Sequence, residues 1–357
     1  MNAGGPSGRQ IDVLIISLGS TEGLRRADRE LCESLERAGC AVEIARAAPP
    51  RRTRTLMLTD LAWARAARSV AVENLARMPL ATPSAIVYSS TTAALLWPRP
   101  GAIRFDALSA SNRPGRHGLW QRPLERRRLA QAPLLLPWSE GGLREAPSPA
   151  GHERALVLPV PVESSGASVP KRDIAAITYA ANPSKKGLDR VLAAWRAVHR
   201  GGGAGESDEL IVAGASVAEL ERAGYRPNET EGVRVVGALP AEEYRALLRR
   251  ARVFVCAPRR EDHGIAQLEA LADGCLLTST PAPGPYAALP IASALDPRLV
   301  SDDLPAALCA ALYDPPTDYA ARAQAAIAPF QRERVDRIVA QELLPRLLAA
   351  PSWRRRH

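Results

Sequence analysis

Two glutamates, Glu261 and Glu269, stand seven residues apart in the stretch EDHGIAQLEALADGC (261–275). Read as a helix from Gly264 to Asp273, this segment buries Ile265, Leu268, Leu271 and Ala272, and Glu269 falls one turn after Ile265 on the edge of the same face. A carboxylate buried without partners costs roughly several kcal/mol, so Glu269 is either edge-exposed or met by something polar. Spacing alone decides nothing, because Glu22/Glu30, Glu145/Glu153 and Glu221/Glu229 repeat it. Context separates the pairs. Only the 261/269 pair follows an apolar, strand-like run (VFVCAP, 253–258), crosses a short charged loop and enters a helix opened by a glycine. Backbone N–H groups of His263, Gly264 and Ile265 in that first turn, with the helix dipole behind them, would make an anion site, and Gly264 would let a ligand approach the backbone closely. Glu261 and Glu269 would flank a bound phosphate and accept hydrogen bonds from sugar hydroxyls. Without that context, a solvated loop glutamate and an edge-exposed helical one are the simpler description.

The elements that must position these residues follow from the hydrophobic pattern. IDVLIISLG (11–19) is a short β-rich run, LRRADRELCESLERAG carries Leu24, Ala27, Leu31, Leu35 and Ala38 at helical spacing, and AVEIA restarts a strand. The alternation continues through SAIVYSS (84–90), GAIRFDAL (101–108), a helical RPLERRRLAQA (122–132) and PLLLPWS (133–139). It breaks at VLPVPVESSGASVPKRD (157–173), where prolines and small polar residues accumulate. A second series then runs through DIAAITYAAN, the helical GLDRVLAAWRAVHR, a glycine-rich turn, ELIVAGA (209–215), GVRVVGA (232–238), the helical EEYRALLRRA, VFVCAP, the 264–273 helix and CLLTSTP (275–281). A final amphipathic helix, PFQRERVDRIVAQELLPRLLAA, precedes the basic tail. Strands alternating with amphipathic helices imply parallel sheets covered on both faces. The expected architecture is α/β: an N-terminal domain over 1–160, a linker at 161–173, a C-terminal domain over 174–329, and a last helix (330–357) packing back on the N-terminal domain. Ligands of such sheets bind outside the carboxyl ends of the strands, so a shared cleft is the expected site.

Composition narrows the class of function. The 357 residues exceed one ordinary core, and 46% hydrophobic with 24% charged residues describes a soluble globular protein. A net charge of +9 favours an acidic partner: nucleic acid, an anionic membrane surface or a phosphate-bearing substrate. Only 4% aromatic residues and no zinc-finger or RNA-binding signature argue against nucleic acid. The five cysteines are scattered without metal spacing and read as buried hydrophobes of a reducing compartment. The run after the polar N-terminus suits a strand better than a signal sequence, and no run reaches the roughly 18 apolar residues of a membrane span. A cytoplasmic protein is expected, with peripheral contact at the inner membrane face compatible with its charge.

VFVCAPRREDHGIAQLEALADGCLLTSTPAPGP resembles the E-x7-E signature of retaining GT-B glycosyltransferases of glycosyltransferase family 4. ITYAANPSKKGLDRVLAAW (177–195) is similar to the family's strand, basic loop, KG and helix segment, and VRVVGALPAEEYRALLRRARVFVCAP to its approach to the E-x7-E helix. The glycine turn SLGSTEG is similar to the acceptor-domain loop, which points to Gly19 and Ser20. The likeness covers the whole chain in layout and is specific from about residue 174 to 290. It implies two doubly wound Rossmann-like domains facing across a cleft. It also implies transfer, with retention, of a hexose-type sugar from a nucleotide diphosphate sugar to a sugar, lipid-linked or small-molecule acceptor. In those terms Glu269 holds the ribose, Glu261 contacts the transferred sugar, and Lys186, with Lys185 nearby, neutralises the departing diphosphate. No metal or other cofactor is implied, and the chain has no D-x-D pair.

Two departures bear on these roles. The arginine that family members usually carry before the KG segment is replaced at Ala180 and Ala181. Either Lys185, Arg259 or Arg260 then completes the clamp, or donor binding is weak. The histidine of many relatives near an N-domain strand end is also missing: Arg104, Phe105 and Asp106 stand there, and the nearest histidine is the loop residue His117. Asp106 is the better candidate for orienting the acceptor. The basic clusters Arg51, Arg52 and Arg54, Arg126 to Arg128, and Arg354 to Arg356 read as solvated faces or as contacts to anionic lipid. The missing arginine motivates a rival reading, a GT-B scaffold without catalysis that binds a nucleotide or a partner protein.

Overall fold

A computed structural model describes residues 11–51, 53–77, 83–113, 115–146, 152–166, 172–200 and 208–349. The polar N-terminus (1–10), Arg52, part of the expected linker (167–171), the glycine-rich turn (201–207) and the tail with Arg354, Arg355 and Arg356 lie outside the described residues. The chain divides into two compact units, Met1–Pro161 with Arg332–His357, and Val162–Gln331.

The first unit is built on five parallel strands, β1 (Val13–Ser17), β2 (Val42–Arg46), β3 (Ala85–Tyr88), β4 (Ala102–Phe105) and β5 (Leu135–Pro137), in the order β2-β1-β3-β4-β5. Every residue of β1 is buried, which is why its apolar run shows no alternation. Thr21 caps the helix Glu22–Arg37 by accepting a hydrogen bond from the Leu24 amide. The long helix Leu56–Arg77 escapes the periodicity argument because its buried face is made of Ala64, Ala67, Ala71 and Asn74, with no row of large side chains to mark it.

The segment Arg332–Ala349 closes this unit. Val335, Val339, Leu343 and Leu347 recur every four residues and join the core formed by Val13, Ile15, Leu31 and Leu35. A π-helical turn at Val339–Leu343 carries the chain through a register that an uninterrupted α-helix would lose. Arg37 pairs with Asp336 at 2.7 Å and Arg332 with Glu30 at 2.7 Å, tying the segment to the helix Glu22–Arg37.

The second unit has β6 (Ile174–Tyr179), β7 (Leu210–Ala213), β8 (Val233–Gly237), β9 (Ala251–Cys256) and β10 (Leu276–Ser279), all parallel, in the order β10-β9-β6-β7-β8. The chain runs outward from β6 to β8 and then returns to the other side of β6 with β9. The loops that follow β6 and β9 therefore leave the sheet in opposite directions, and the crevice between them is the switch point at which doubly wound sheets take ligands. Trp195 on the helix Leu188–Arg200 is fully buried against this sheet and donates its indole N–H to the Glu231 carbonyl at 3.1 Å.

Leu343 is fully buried in the first unit. Leu343→Ala should lower unfolding free energy by about 2–5 kcal/mol in chemical denaturation; an unchanged midpoint would contradict the packing of this segment.

Candidate functional site

The two loops at the switch point of the second unit carry most of the residues singled out by the sequence. After β6, Asn182 caps a short helical turn, Pro183–Lys186, by accepting from the Lys185 amide at 3.1 Å. Gly187 ends the turn in the left-handed region (φ +66°), and a Cβ there would overlap the carbonyl oxygen of Ala257 just past β9. Only glycine lets the two loops approach so closely. Their contact is sealed by Arg259, whose amide donates to the Lys185 carbonyl at 3.0 Å and whose guanidinium pairs with Asp189 at 2.8 Å.

This approach delivers both lysines to the acidic loop. Lys186 Nζ lies 2.6 Å from Glu261 Oε2, and Gln267 Nε2 donates to the same oxygen at 3.0 Å. Lys185 Nζ lies 2.6 Å from Asp262 Oδ2, while Arg260 Nε reaches the other oxygen of Asp262 at 2.9 Å. Glu261 is 5% exposed, so its charge is compensated by neighbours and not by bulk water. Its own amide donates to the Pro283 carbonyl at 3.1 Å, which fixes the loop from behind.

Gly264 opens the helix Ile265–Ala272 at φ +86°, packed against the ring of Tyr286. His263 is buried, its ring 6.2 Å from that of Phe330 in an edge-on arrangement, and its carbonyl accepts from Ala287 at 3.1 Å. Beneath the loop, Gln267, Cys256, Ser279 and Tyr286 form a buried polar chain. Burial pushes the Cys256 thiol and the Tyr286 hydroxyl above their ordinary pKa values, so both stay neutral.

Glu269 is 6% exposed, and the polar group that meets it in this chain is Arg245 of the helix Ala241–Arg250, whose Nη1 lies 3.2 Å from Glu269 Oε1. Arg245 Nε also lies 2.6 Å from Asp273 Oδ2, and Nη2 donates to the Glu163 carbonyl at 2.6 Å. Burial alone would lower the pKa of Arg245, but the bond to Asp273 and the charges of Glu269 and Asp273 outweigh it and raise it.

Sequence reasoning passed over Arg245, Gln267 and Asp262. The signal for Arg245 was available: it stands three residues before Leu248, inside the apolar face of a short helix, where an unpaired arginine would not be tolerated.

The replacement positions Ala180 and Ala181 bring no cation to the crevice. Of the residues expected to complete the clamp, Arg259 is engaged with Asp189 on the outer side of the turn, whereas Arg260 and Lys185 share Asp262.

In the first unit, Gly19 (φ +56°) and Ser20 follow β1, and Arg25 Nη1 donates to the Gly19 carbonyl at 2.8 Å. Asp106 follows β4 and accepts from the Ala107 amide at 2.8 Å. Both positions follow strand ends on the carboxyl edge of that sheet; His117 stands exposed farther along the connection after β4, on the turn Gly115–Gly118. Below this edge Arg104 is buried, with Nη1 donating to the Ala27 carbonyl at 2.8 Å and its guanidinium 5.0 Å from the Trp138 ring. Burial draws its pKa down to about 10. Among the described residues no group of three or more His, Cys, Asp or Glu is placed to hold a metal ion, and no helix is long and apolar enough to cross a membrane.

Residues 172–335, a little under half of the chain, match the family model described as glycosyl transferases group 1. No curated protein sequence matches the chain significantly. Among solved structures, an α,α-trehalose-phosphate synthase (UDP-forming) from Burkholderia xenovorans in complex with glucose-6-phosphate is similar at TM-score 0.67 and 14% identity, over 94% of this chain and 99% of that one. The sucrose-phosphate synthase of Thermosynechococcus elongatus is similar at TM-score 0.65 and 17% identity, over 96% and 100%. WaaG, a glycosyltransferase involved in lipopolysaccharide biosynthesis, is similar at TM-score 0.64 and 15% identity, over 92% and 99%. At these identities the likeness is one of fold, the two-domain GT-B architecture.

The close approach at Gly187 yields a direct prediction. Gly187→Ala should destabilise the protein by at least roughly 1–3 kcal/mol through its backbone conformation alone, before the overlap with Ala257 is counted. A denaturation midpoint equal to that of the parent would contradict the loop geometry.

Proposed function

We propose, from the premise that this chain is a glycosyl transferases group 1 protein of GT-B fold, that it moves a hexose-type sugar from a nucleotide diphosphate sugar to an acceptor with retention of configuration. The observation that carries the reading is the meeting of Lys186 with Glu261 at the switch point of the second unit, beside the helix that presents Glu269. Glu269 accepts hydrogen bonds from the ribose hydroxyls, and Glu261 from the hydroxyls of the transferred sugar. Lys186 and the amides at the start of the helix Ile265–Ala272 receive the diphosphate, with Lys185 and Arg260 beside them.

As the bond from the anomeric carbon to the diphosphate breaks, its electron pair stays on the departing phosphate oxygen, where Lys186 neutralises it. The acceptor hydroxyl attacks from the same face and passes its proton to that oxygen, so configuration is kept without a covalent enzyme intermediate. The cationic groups do the work that a metal does elsewhere, and activity should survive chelation by EDTA. On the acceptor side, Gly19, Ser20 and Asp106 orient the incoming hydroxyl.

Glu269→Ala and Lys186→Ala should each lower donor turnover by about 100-fold or more while leaving the fold intact. Wild-type-like turnover in both would refute the site. The rival reading, a scaffold that binds a nucleotide without catalysis, is favoured by Ala180 and Ala181 and by the hold of Asp262 on Lys185. Thermal shifts with UDP-, GDP- and ADP-sugars, followed by a search for slow donor hydrolysis, separate the two: a shift without any turnover is the outcome of the scaffold.

The same reading extends to an anionic lipid surface. Leu119 is 64% exposed, and Leu56 and Leu58 begin the helix Leu56–Arg77 at 50% and 45%. The pair Arg113–Asp60, at 2.7 Å, ties the neighbourhood of Leu119 to that helix, and the exposed Arg51, Arg54 and Arg116 lie in the same chain segments. Sedimentation with liposomes should rise with anionic lipid content and fall in Leu119→Ser; binding indifferent to lipid charge would remove the lipid contact.

A further inference from the structure

We propose that Arg245 is a positioning residue for nucleotide recognition, acting through Glu269. The inference rests on the reading of Glu269 as the ribose-binding carboxylate and adds what aims that carboxylate.

Glu269 and Asp273 are four residues apart, so they share one side of the helix Ile265–Ala272 and its cap, and a single guanidinium stands against both. The side chain of Arg245 is only 10% exposed and that of Asp273 is fully buried. Asp273 is held in turn by Ser165, whose amide donates at 2.8 Å and whose hydroxyl lies 3.0 and 3.1 Å from the two carboxylate oxygens. With its third arm on the Glu163 carbonyl, Arg245 is fixed by an anion and a backbone oxygen before Glu269 is counted. A planar fork fixed on two sides has little freedom left, so the arm that meets Glu269 defines where that carboxylate sits.

A purely structural staple would need only Arg245, Asp273, Ser165 and Glu163. The approach of Nη1 to Glu269 adds nothing to the hold on residues 163–165, yet it sets the orientation of the group proposed to accept two neighbouring hydroxyls. Acceptance from vicinal hydroxyls depends on that orientation, and a carboxylate free to swing loses the advantage of prepaid geometry. Lysine could keep the charge but could not span Asp273, Glu269 and the carbonyl at once.

The test reads ribose recognition directly. Calorimetry would compare the tightest-binding of UDP, GDP and ADP with its 2′,3′-dideoxy counterpart, in the parent, Glu269→Gln, Arg245→Lys and the double variant Arg245→Met/Asp273→Asn. The double variant removes the buried cation together with one of its anions, which limits the destabilisation of leaving two carboxylates unmatched. The parent should prefer the ribonucleotide by about tenfold or more, the value of a hydrogen bond to a charged group. Glu269→Gln and the double variant should lose most of that preference, and Arg245→Lys should restore part of it. Full preference in the double variant, alongside its loss in Glu269→Gln, overturns the role of Arg245 and leaves the ribose reading standing. Full preference in Glu269→Gln overturns the ribose reading itself. Should the double variant fail to fold, Arg245→Lys decides alone: an undiminished preference refutes the positioning role, and a reduced one supports it.

Discussion

A buried carboxylate has to be met by a cation or by hydrogen-bond donors, and the second unit meets four of them with cations. Glu261 is met by Lys186, Asp262 by Lys185 and Arg260, and Glu269 and Asp273 by Arg245. Apart from Arg260–Asp262, whose partners share one loop, each pairing joins segments distant in sequence and requires the sheet to bring loops or helices together first. The order β10-β9-β6-β7-β8 does this by placing the ends of β6 and β9 side by side. Gly187 then removes the last obstruction by having no Cβ. Of these pairs Arg245–Asp273 is the most buried, and removing the arginine alone is costly, of the order of 3–5 kcal/mol, because it strands a buried charge. The charges therefore bind the fold to the geometry on which the proposed chemistry rests.

In the proposed reading one crevice would serve both an anion and hydroxyl groups: the lysines and the helix N-terminus would receive a diphosphate, and the carboxylates paired with those lysines would accept from neutral hydroxyls. Beneath them Gln267, Cys256, Ser279 and Tyr286 supply a buried polar floor, with the two ionisable members held neutral by burial. A neutral floor leaves the local field to the lysines and carboxylates above it.

Much of the fold was legible in the sequence because strands buried on both faces announce themselves, as VLIIS in β1 and IAAITY in β6 do. Helices with a face of large side chains, such as Leu188–Arg200, were equally visible, whereas Leu56–Arg77 was not, since alanine contributes little to a hydrophobic pattern. The glutamate spacing misleads by itself: Glu22, Glu153, Glu221 and Glu229 are exposed members of pairs with the same interval. What distinguished Glu261 and Glu269 was the strand before them and the glycine between them, and in the structure both are buried and paired. The partners were the harder part. Lys186 could be inferred from the KKG turn, but Arg245 and Gln267 act through side-chain packing that no spacing rule encodes, and Asp262 is defined by two cations from different loops.

The central claim is that the crevice after β6 and β9 receives a nucleotide diphosphate sugar, with its ribose at Glu269 and its diphosphate at Lys186. The most direct measurement is a crystal structure with a nucleotide sugar bound. The account predicts ribose hydroxyls within about 3.2 Å of the Glu269 carboxylate and a diphosphate oxygen within about the same distance of Lys186 Nζ. A well-defined nucleotide bound elsewhere, with Glu269 and Lys186 untouched, would contradict it.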